Sequence, residues 1–438
     1  MSDSNIFKSD RGQTIIVFAL LFSTLVLFTG LALDAGLLYV TKAKLSSAVD
    51  GACLAGMKNL ALGQPTAATL ATNIFNANYG ANAPVPAITF PLDSFGDQQV
   101  KVAATANVNT YFIRLISAFA TVPVSDTAVS TRGKLIMSLV LDRSGSMQTD
   151  GGQSALTTAV PQFVANFNDA LDEIGMISFA DNAEIDFSIA GTFTSSITSD
   201  ISTMPFGGGT FGSGAGTGSI LSNTQGPPLS MGKLQVDSVP ILPGQNAIKV
   251  VVYFTDGLMN TVQDNFNCPA QTLLNYGGFD NPGSGQYGDI FDPSSKTNII
   301  GTASSTGFQY QYGSAALCKN AAGTNVTTFT SQIDGSQKSF LQTNITNEAI
   351  YRAQRTANVM RTETIPITIF TMGLGSVGSS ATTLLKELAN DPSSDTYNNT
   401  QAIGQYFAIP SCPSSVCTSQ LQQAFNAIAA RILLRLTQ

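Results

Sequence analysis

The chain has 438 residues, 43% of them apolar and 11% charged, with no histidine and a formal net charge of −7. Without histidine, a Ser-His-Asp triad, a Cys-His dyad and His-ligated zinc or iron are impossible within the chain. The acidic balance, with no basic stripe, also argues against a nucleic-acid partner. The length allows two or three domains, and low charge with 39 glycines and many small polar residues suits a folded extracytoplasmic protein.

After a short tail over residues 1–13, expected to be cytoplasmic, Thr14 to Leu33 form twenty consecutive residues without a charge. At about 1.5 Å of rise per residue they cover the roughly 30 Å hydrocarbon core of a bilayer. The stretch exceeds a signal-peptide core and no Ala-x-Ala site follows it, so a retained single-span anchor is expected. Leu45, Val49, Cys53, Met57 and Leu60 continue at helical spacing, extending the helix over 34–62. Lys8 and Arg11 balance Lys42 and Lys44, so charge leaves the orientation open.

Gly63-Gln-Pro65 interrupts that pattern. From there to 132 the sequence predicts a small α+β stalk or docking module, with strands at Gln99–Val108 and Val122–Ser130 and a helix near Tyr111–Phe119. Val100, Val102, Ala104, Ala106 and Val108 alternate with polar residues, as on a half-buried strand.

Residues 133–438 alternate apolar runs with helical patterns. Strands are predicted at Lys134–Asp142, Gly175–Phe179, Glu184–Ile189, Lys249–Asp256, Pro366–Met372 and Tyr406–Ile409, with helices around Ala155–Leu171, Asn347–Arg361, Thr382–Ala389 and the C-terminus. This predicts an α/β fold, a doubly wound, mostly parallel sheet covered on both faces. Ligands then gather at the carboxyl ends of the strands, where Asp142 and Asp256 both fall.

Three separated pieces read as one metal site: Asp142-Arg-Ser144-Gly-Ser146 after the first strand, Thr210 in a glycine-rich turn with Thr217 close enough to compete, and Asp256 after a later strand. A carboxylate and two hydroxyls at i, i+2, i+4 offer hard oxygen ligands suited to Mg²⁺ or another small divalent cation. The set resembles the metal-ion-dependent adhesion site of von Willebrand factor A domains, a resemblance spanning roughly Lys134 to the C-terminus. It implies that Asp142, Ser144, Ser146, Thr210 and Asp256 hold a cation that binds without catalysing, leaving a position for a carboxylate from a protein ligand.

Arg11-Gly-Gln-Thr-Ile-Ile-Val-Phe-Ala-Leu-Leu, Gly30-Leu-Ala-Leu-Asp34-Ala-Gly-Leu-Leu-Tyr39 and Leu45-Ser-Ser-Ala-Val-Asp50-Gly-Ala-Cys-Leu-Ala resemble the N-terminal anchor of TadG-type proteins of the Tad (Flp) pilus system. The ending Leu421-Gln-Gln-Ala-Phe425-Asn-Ala-Ile-Ala-Ala-Arg431-Ile is similar to that family's terminal helix. The resemblance implies an inner-membrane protein with a periplasmic or surface-reaching domain, working with pilus-assembly components. Related pseudopilins carry a Glu shortly after their cleavage glycine. This chain has Gln, Thr, Ile, Ile, Val and Phe after Gly12, so pilin-like processing is not expected.

An insertion over 258–343, rich in Gly, Asn, Ser and aromatic residues, leaves directly from the Asp256 turn and is expected beside the metal, either as a partner-binding element or as a surface decoration. Cys268 with Cys318, and Cys412 with Cys417, lie where disulfides would restrain loops, or they are free thiols. Such disulfides would place the bulk of the chain outside the cytoplasm. The leading expectation is a non-enzymatic pilus-assembly or adhesion protein. The alternatives are a scaffold whose metal is only structural, and a metal-dependent hydrolase using Asp172, Glu173, Asp181 or Glu184, acids that otherwise read as a solvated rim.

Overall fold

The uncharged stretch and the helical spacing after it form one helix, α1, Arg11–Lys58. Its 48 residues extend about 72 Å. In the computed structural model the described residues are 11–115, 119–144, 146–147, 151–179, 183–206, 227–259, 328–339, 342–375, 377–409 and 415–436, with short backbone stretches between 261 and 320. They divide into two units, 1–132 and 133–436.

In the first unit, α1 has two halves of different chemistry. Over the first, Ile15, Phe18, Leu21, Phe22, Leu25 and Phe28 are all exposed. The few polar side chains there satisfy themselves: Ser23, Thr24 and Thr29 donate hydroxyl hydrogen bonds to the carbonyls of Ala19, Leu20 and Leu25 at 2.7, 2.7 and 2.8 Å. A helix that leaves no unpaired polar group on an apolar surface is fitted to lipid, and by length and composition α1 can cross a membrane. Over the second half, Leu45, Val49, Ala52, Cys53 and Met57 are buried.

What buries them is a second helix, α2 (Gln64–Tyr79), and an antiparallel sheet of β1 (Ala87–Thr89), β2 (Gln98–Asn109) and β3 (Thr121–Arg132), in that order. Gln98 lies opposite Arg132 and Asn109 opposite Thr121, so β2 and β3 form one long hairpin. Val100, Val102, Ala104, Ala106 and Val108 all point inward, as the period of two predicted. Each large apolar side chain removed from water here is worth roughly 1.5–3 kcal/mol before entropy is counted. Residues 34–62 and 63–132 are therefore not separate pieces, because the helix supplies the core on which the sheet closes.

Two local expectations are corrected. The helix predicted near Tyr111–Phe119 is only a 3-10 turn, Ile113–Leu115, among the described residues. Thr110 donates its amide to the carbonyl of Ala120 at 3.2 Å, closing the hairpin around this connection, of which residues 116–118 lie outside the described ones. Helix α2 was not predicted, because its buried face is mostly alanine, Ala67 and Ala71 with Phe75, and alanine carries a weak periodic signal.

The connection is instead fastened to α1. Asp34, buried, accepts the backbone N–H groups of Tyr111 (Oδ1, 2.8 Å), Phe112 (Oδ2, 2.8 Å) and Ile113 (Oδ2, 2.7 Å). Gly30, one turn earlier, lets the Phe112 ring lie against the helix backbone, where a Cβ would come within 2.3 Å of it.

The second unit holds a six-stranded mixed sheet. Its strands are β4 (Lys134–Asp142), β5 (Glu173–Phe179), β6 (Ala183–Ala190), β7 (Ala247–Thr255), β8 (Ile367–Leu374) and β9 (Gln405–Ile409), in the order β9-β8-β7-β4-β5-β6. Neighbours are parallel except β6, which pairs antiparallel with β5 at one edge. Leu135, Met137, Leu139 and Leu141 face one core with α3 (Gly152–Val164), α4 (Phe193–Thr203) and α8 (Ser415–Leu436). Ile136 and Val140 face the other, with α5 (Pro228–Ser238), α6 (Gln342–Arg361) and α7 (Ser379–Ala389). Burial on both faces explains why the central strands read as unbroken apolar runs.

Helices α4 and α5 were not predicted, since Ser and Thr occupy most of α4 and α5 begins at Pro228 with a Gly in its interior. The predicted insertion is also too long at its far end. Phe329 is buried in the core, and Glu348 on α6 accepts the Ser331 hydroxyl at 2.6 Å and the Gln332 amide at 2.8 Å while pairing with buried Arg352 at 2.7 Å. The hairpin Thr328–Thr330 and Gln337–Ser339 thus belongs to the body of the unit. Cys268, Cys318 and Cys412 lie outside the described residues, Cys417 is buried, and Cys53 is a buried free thiol.

The Asp34 anchor gives a direct expectation. Asp34→Ala removes three charge-assisted hydrogen bonds and should loosen the turn they hold. Amide exchange in full-length protein should accelerate at Tyr111, Phe112 and Ile113 first, and unchanged protection there would show that the carboxylate is not what holds the turn.

Candidate metal centre

The strand order positions the site. From β4 the chain runs outward to β5 and β6, then returns to the other side of β4 with β7 and continues outward to β8 and β9. Such a reversal leaves the connections at the carboxyl ends of β4 and β7 diverging, and the crevice between them is where open α/β sheets bind ligands. Leu141 is opposite Phe254, so the residues that follow, Asp142 and Thr255, emerge side by side.

They are bonded to each other. The Thr255 hydroxyl donates to Asp142 Oδ2 at 2.6 Å, and the Ser144 amide donates to Asp142 Oδ1 at 2.8 Å. The backbone amide of Asp256 also bonds the Asp142 carboxylate, so the two acidic residues predicted to share a site meet at adjacent strand ends. Burial pushes the Asp142 carboxyl above its ordinary range, against the hydrogen bonds from Ser144, Thr255 and Asp256 that hold it down. A buried carboxyl in this state gains from a positive charge placed beside it.

Ser144 and Ser146 lie just beyond, their hydroxyls hydrogen-bonded to each other with the oxygens 3.1 Å apart. Six oxygens around a cation at about 2.0–2.1 Å are separated along each octahedral edge by about 2.9–3.0 Å, so this pair has the spacing of two neighbouring ligands of Mg²⁺. The donor set is oxygen only, as such a cation requires. Among the described residues no group of three or more Cys, Asp or Glu is gathered for a metal, so any ion here would rely on hydroxyls. Thr210 and Thr217 lie outside the described residues.

Two residues complete the surroundings. Arg143, buried at the bend between Asp142 and Ser144, donates its amide to the Phe179 carbonyl at 2.8 Å, and its guanidinium pairs with Glu184 at 2.6 Å. It thereby ties the Asp142 loop to β5 and β6. Asp186 on β6 accepts the Ser178 hydroxyl at 3.0 Å on Oδ1, while its Oδ2 has no hydrogen-bond partner among the described residues. Sequence reasoning missed both, since an Arg inside the motif and an Asp on an edge strand look like solvated surface.

Of the acids weighed for hydrolysis, Glu184 is the partner of Arg143, and Glu173 pairs with Lys134 at 2.6 Å. Asp172 is not on a solvated rim: it is buried and accepts the Asn168 amide at 2.9 Å, closing the turn before β5. Asp181 lies outside the described residues.

Comparison with known proteins agrees at the N-terminus. Residues 12–63 match the family described as "Putative Flp pilus-assembly TadE/G-like". The match spans 52 of the 438 residues and supports a pilus-related role. No curated protein matches the sequence. Among solved structures, the chain is similar to the PilB minor pilin from Streptococcus sanguinis (14% identity, covering 80% of this chain and 78% of that one, TM-score 0.38). It is also similar to the vWF domain of the type V pili tip protein Mfa5 from Porphyromonas gingivalis (15% identity, 70% and 97% covered, TM-score 0.35). A third is the pilus adhesin SpaC from Lactobacillus rhamnosus GG in its open conformation (11% identity, 80% and 34% covered, TM-score 0.38). These scores are low, and nothing about the chain's chemistry follows from them.

Asp186 supplies a pH test. Burial, with Glu184 nearby, raises its carboxyl to about 6, against the Ser178 hydrogen bond and Arg143. Because the folded value lies above the unfolded one, the fold favours the protonated form, and stability falls as pH rises from about 4 through 6. Asp186→Asn should therefore raise the melting midpoint at pH 7.5, by the equivalent of about 1–2 kcal/mol, and have little effect at pH 4. An equal effect at both pH values would rule out titration of this group.

Proposed function

We propose that the chain is a membrane-anchored pilus-assembly or adhesion protein of TadG type, its second unit a von Willebrand factor A-like domain that binds a partner through a Mg²⁺-dependent adhesion site. The observation that carries this is the hydroxyl pair of Ser144 and Ser146, 3.1 Å apart and next to a buried carboxylate at the reversal of the strand order. Ser144 and Ser146 would hold the cation directly, and Asp142, already accepting Ser144 and Thr255, would hold it directly or through a water. Asp256 belongs to the same set by its place after β7, and Thr210 by its resemblance to the family's threonine. A bound divalent cation would supply a Lewis-acidic position for a carboxylate of the partner.

α1 would anchor the chain in the inner membrane by a single span, leaving the bulk of it periplasmic or at the cell surface among pilus-assembly components. A second reading, a structural cation that only staples loops, draws on the fact that both Asp142 oxygens already have protein donors.

The test is a Mg²⁺ or Mn²⁺ titration of the full-length protein by calorimetry. One site is expected, weakened at least about tenfold in Ser144→Ala and lost in Asp142→Ala with the fold retained. If the wild-type chain binds no divalent cation, the adhesion-site reading is wrong. If it binds one but retains its pilus partners in EDTA, the cation is structural.

A further inference from the structure

The β2–β3 connection is held at a particular height on α1. Asp34 fixes the amides of Tyr111, Phe112 and Ile113, and the Phe112 ring covers Gly30. Gly30 lies inside the uncharged stretch, about 4.5 Å short of its end at Leu33. The turn therefore sits where hydrocarbon gives way to headgroups if that stretch spans a bilayer. At this level its side chains face outward: Tyr111 is 70% exposed and Leu115 82%, Arg114 between them is exposed, and Phe119 on the return is 46% exposed.

Single exposed apolar residues need no explanation, but these share one short connection, are pinned beside a lipid-fitted helix and flank an arginine. Tyrosine prefers the membrane interface because its ring is apolar and its hydroxyl is wet. Arginine can lay its stem along apolar surface and keep its charge among headgroups. An occupant of this surface at this height on α1 meets lipid first.

We propose that the turn Thr110–Leu115 is a second membrane contact. Tyr111 and Leu115 enter the interfacial layer of the leaflet from which α1 emerges, and Arg114 reaches the lipid phosphates. The inference rests on reading Thr14–Leu33 as a span. Its consequence is mechanical: a helix alone can rotate about its axis in a bilayer, whereas a helix with a side contact cannot, so the first unit is held at one rotation and height.

The chain has no tryptophan, so single-tryptophan variants report cleanly. Full-length Leu115→Trp, Phe22→Trp and Phe95→Trp would be reconstituted in phosphatidylcholine–phosphatidylglycerol vesicles containing nitroxide lipids of shallow or deep label. Phe95, 44% exposed, precedes β2 at the far end of the hairpin, roughly 36 Å from Asn109. All three positions are exposed, so the substitutions leave the cores intact.

Shallow nitroxide should quench Leu115→Trp by about twofold or more, as expected for an interfacial aromatic, deep nitroxide should quench Phe22→Trp most, and only aqueous iodide should quench Phe95→Trp. If Phe22→Trp is quenched by lipid while Leu115→Trp behaves like Phe95→Trp, the contact does not exist although the span does. Protection of Leu115→Trp from both lipid and iodide would mean that a second copy covers the turn, which overturns the proposal. If Phe22→Trp meets no lipid quencher, the span reading fails and the membrane contact falls with it.

Discussion

The hydrogen bond from the Thr255 hydroxyl to the Asp142 carboxylate, 2.6 Å long, is the interaction on which the second unit's site depends. It joins the carboxyl ends of the two strands between which the strand order reverses. Parallel strands must diverge at such a point, because their connections go to opposite sides. Without a link, the loop after β4 and the loop after β7 would have no fixed relation. With it, a carboxylate from one loop is aimed by a hydroxyl from the other, and Ser144, held through its own amide on the same carboxylate, follows. Arg143 closes the arrangement from the other side by bonding to β5 and β6.

The first unit uses a buried carboxylate in a different way. Asp34 takes three backbone N–H groups of one turn and no hydroxyl, which turns it into a fastener. Asp142 takes one backbone amide on Oδ1 and one hydroxyl on Oδ2, with the Asp256 amide also bonded to it, and has exchangeable hydroxyls next to it. The contrast separates a structural carboxylate from a candidate binding one. Main-chain donors at a tight turn cannot be displaced without unfolding the turn, whereas hydroxyls can rotate to present a lone pair to a cation.

Much of this was legible in the sequence, and the exceptions have physical reasons. Strands buried on both faces announce themselves as apolar runs, and Asp142 and Asp256 could be placed at strand ends because each ends such a run. The long helix was legible because twenty uncharged residues admit few other readings. Helices α2 and α4 were hidden because alanine, serine and threonine line most of their length, and small or hydroxyl side chains blur a 3.6-residue period. The roles of Arg143, Asp172 and Asp186 could not be read, since the pairing or burial of a charged side chain depends on which strand lies alongside it, and that is a property of topology. The 3-10 turn Ile113–Leu115 belongs with these: the Asp34 carboxylate on α1 takes the amides of Tyr111, Phe112 and Ile113, a contact set by topology.

The composition ties the site to its proposed use. A chain with 11% charged residues and no histidine has few strong ligands, and the candidate centre reflects this, with two carboxylates and otherwise hydroxyls. Asp142 and Asp256 together carry at most two negative charges, and burial favours protonation of Asp142 when no cation is near. Such a set cannot overcompensate a divalent ion, so an anionic group from outside meets no excess of negative charge there. A fully carboxylate-lined cage would bind the ion more tightly and present nothing to a partner. Weak, hydroxyl-rich coordination is thus what an adhesive rather than a storage site needs, because the visiting carboxylate then contributes a large share of the ion's stabilisation. Ion and partner would each bind more tightly in the presence of the other, the reciprocity that linkage requires.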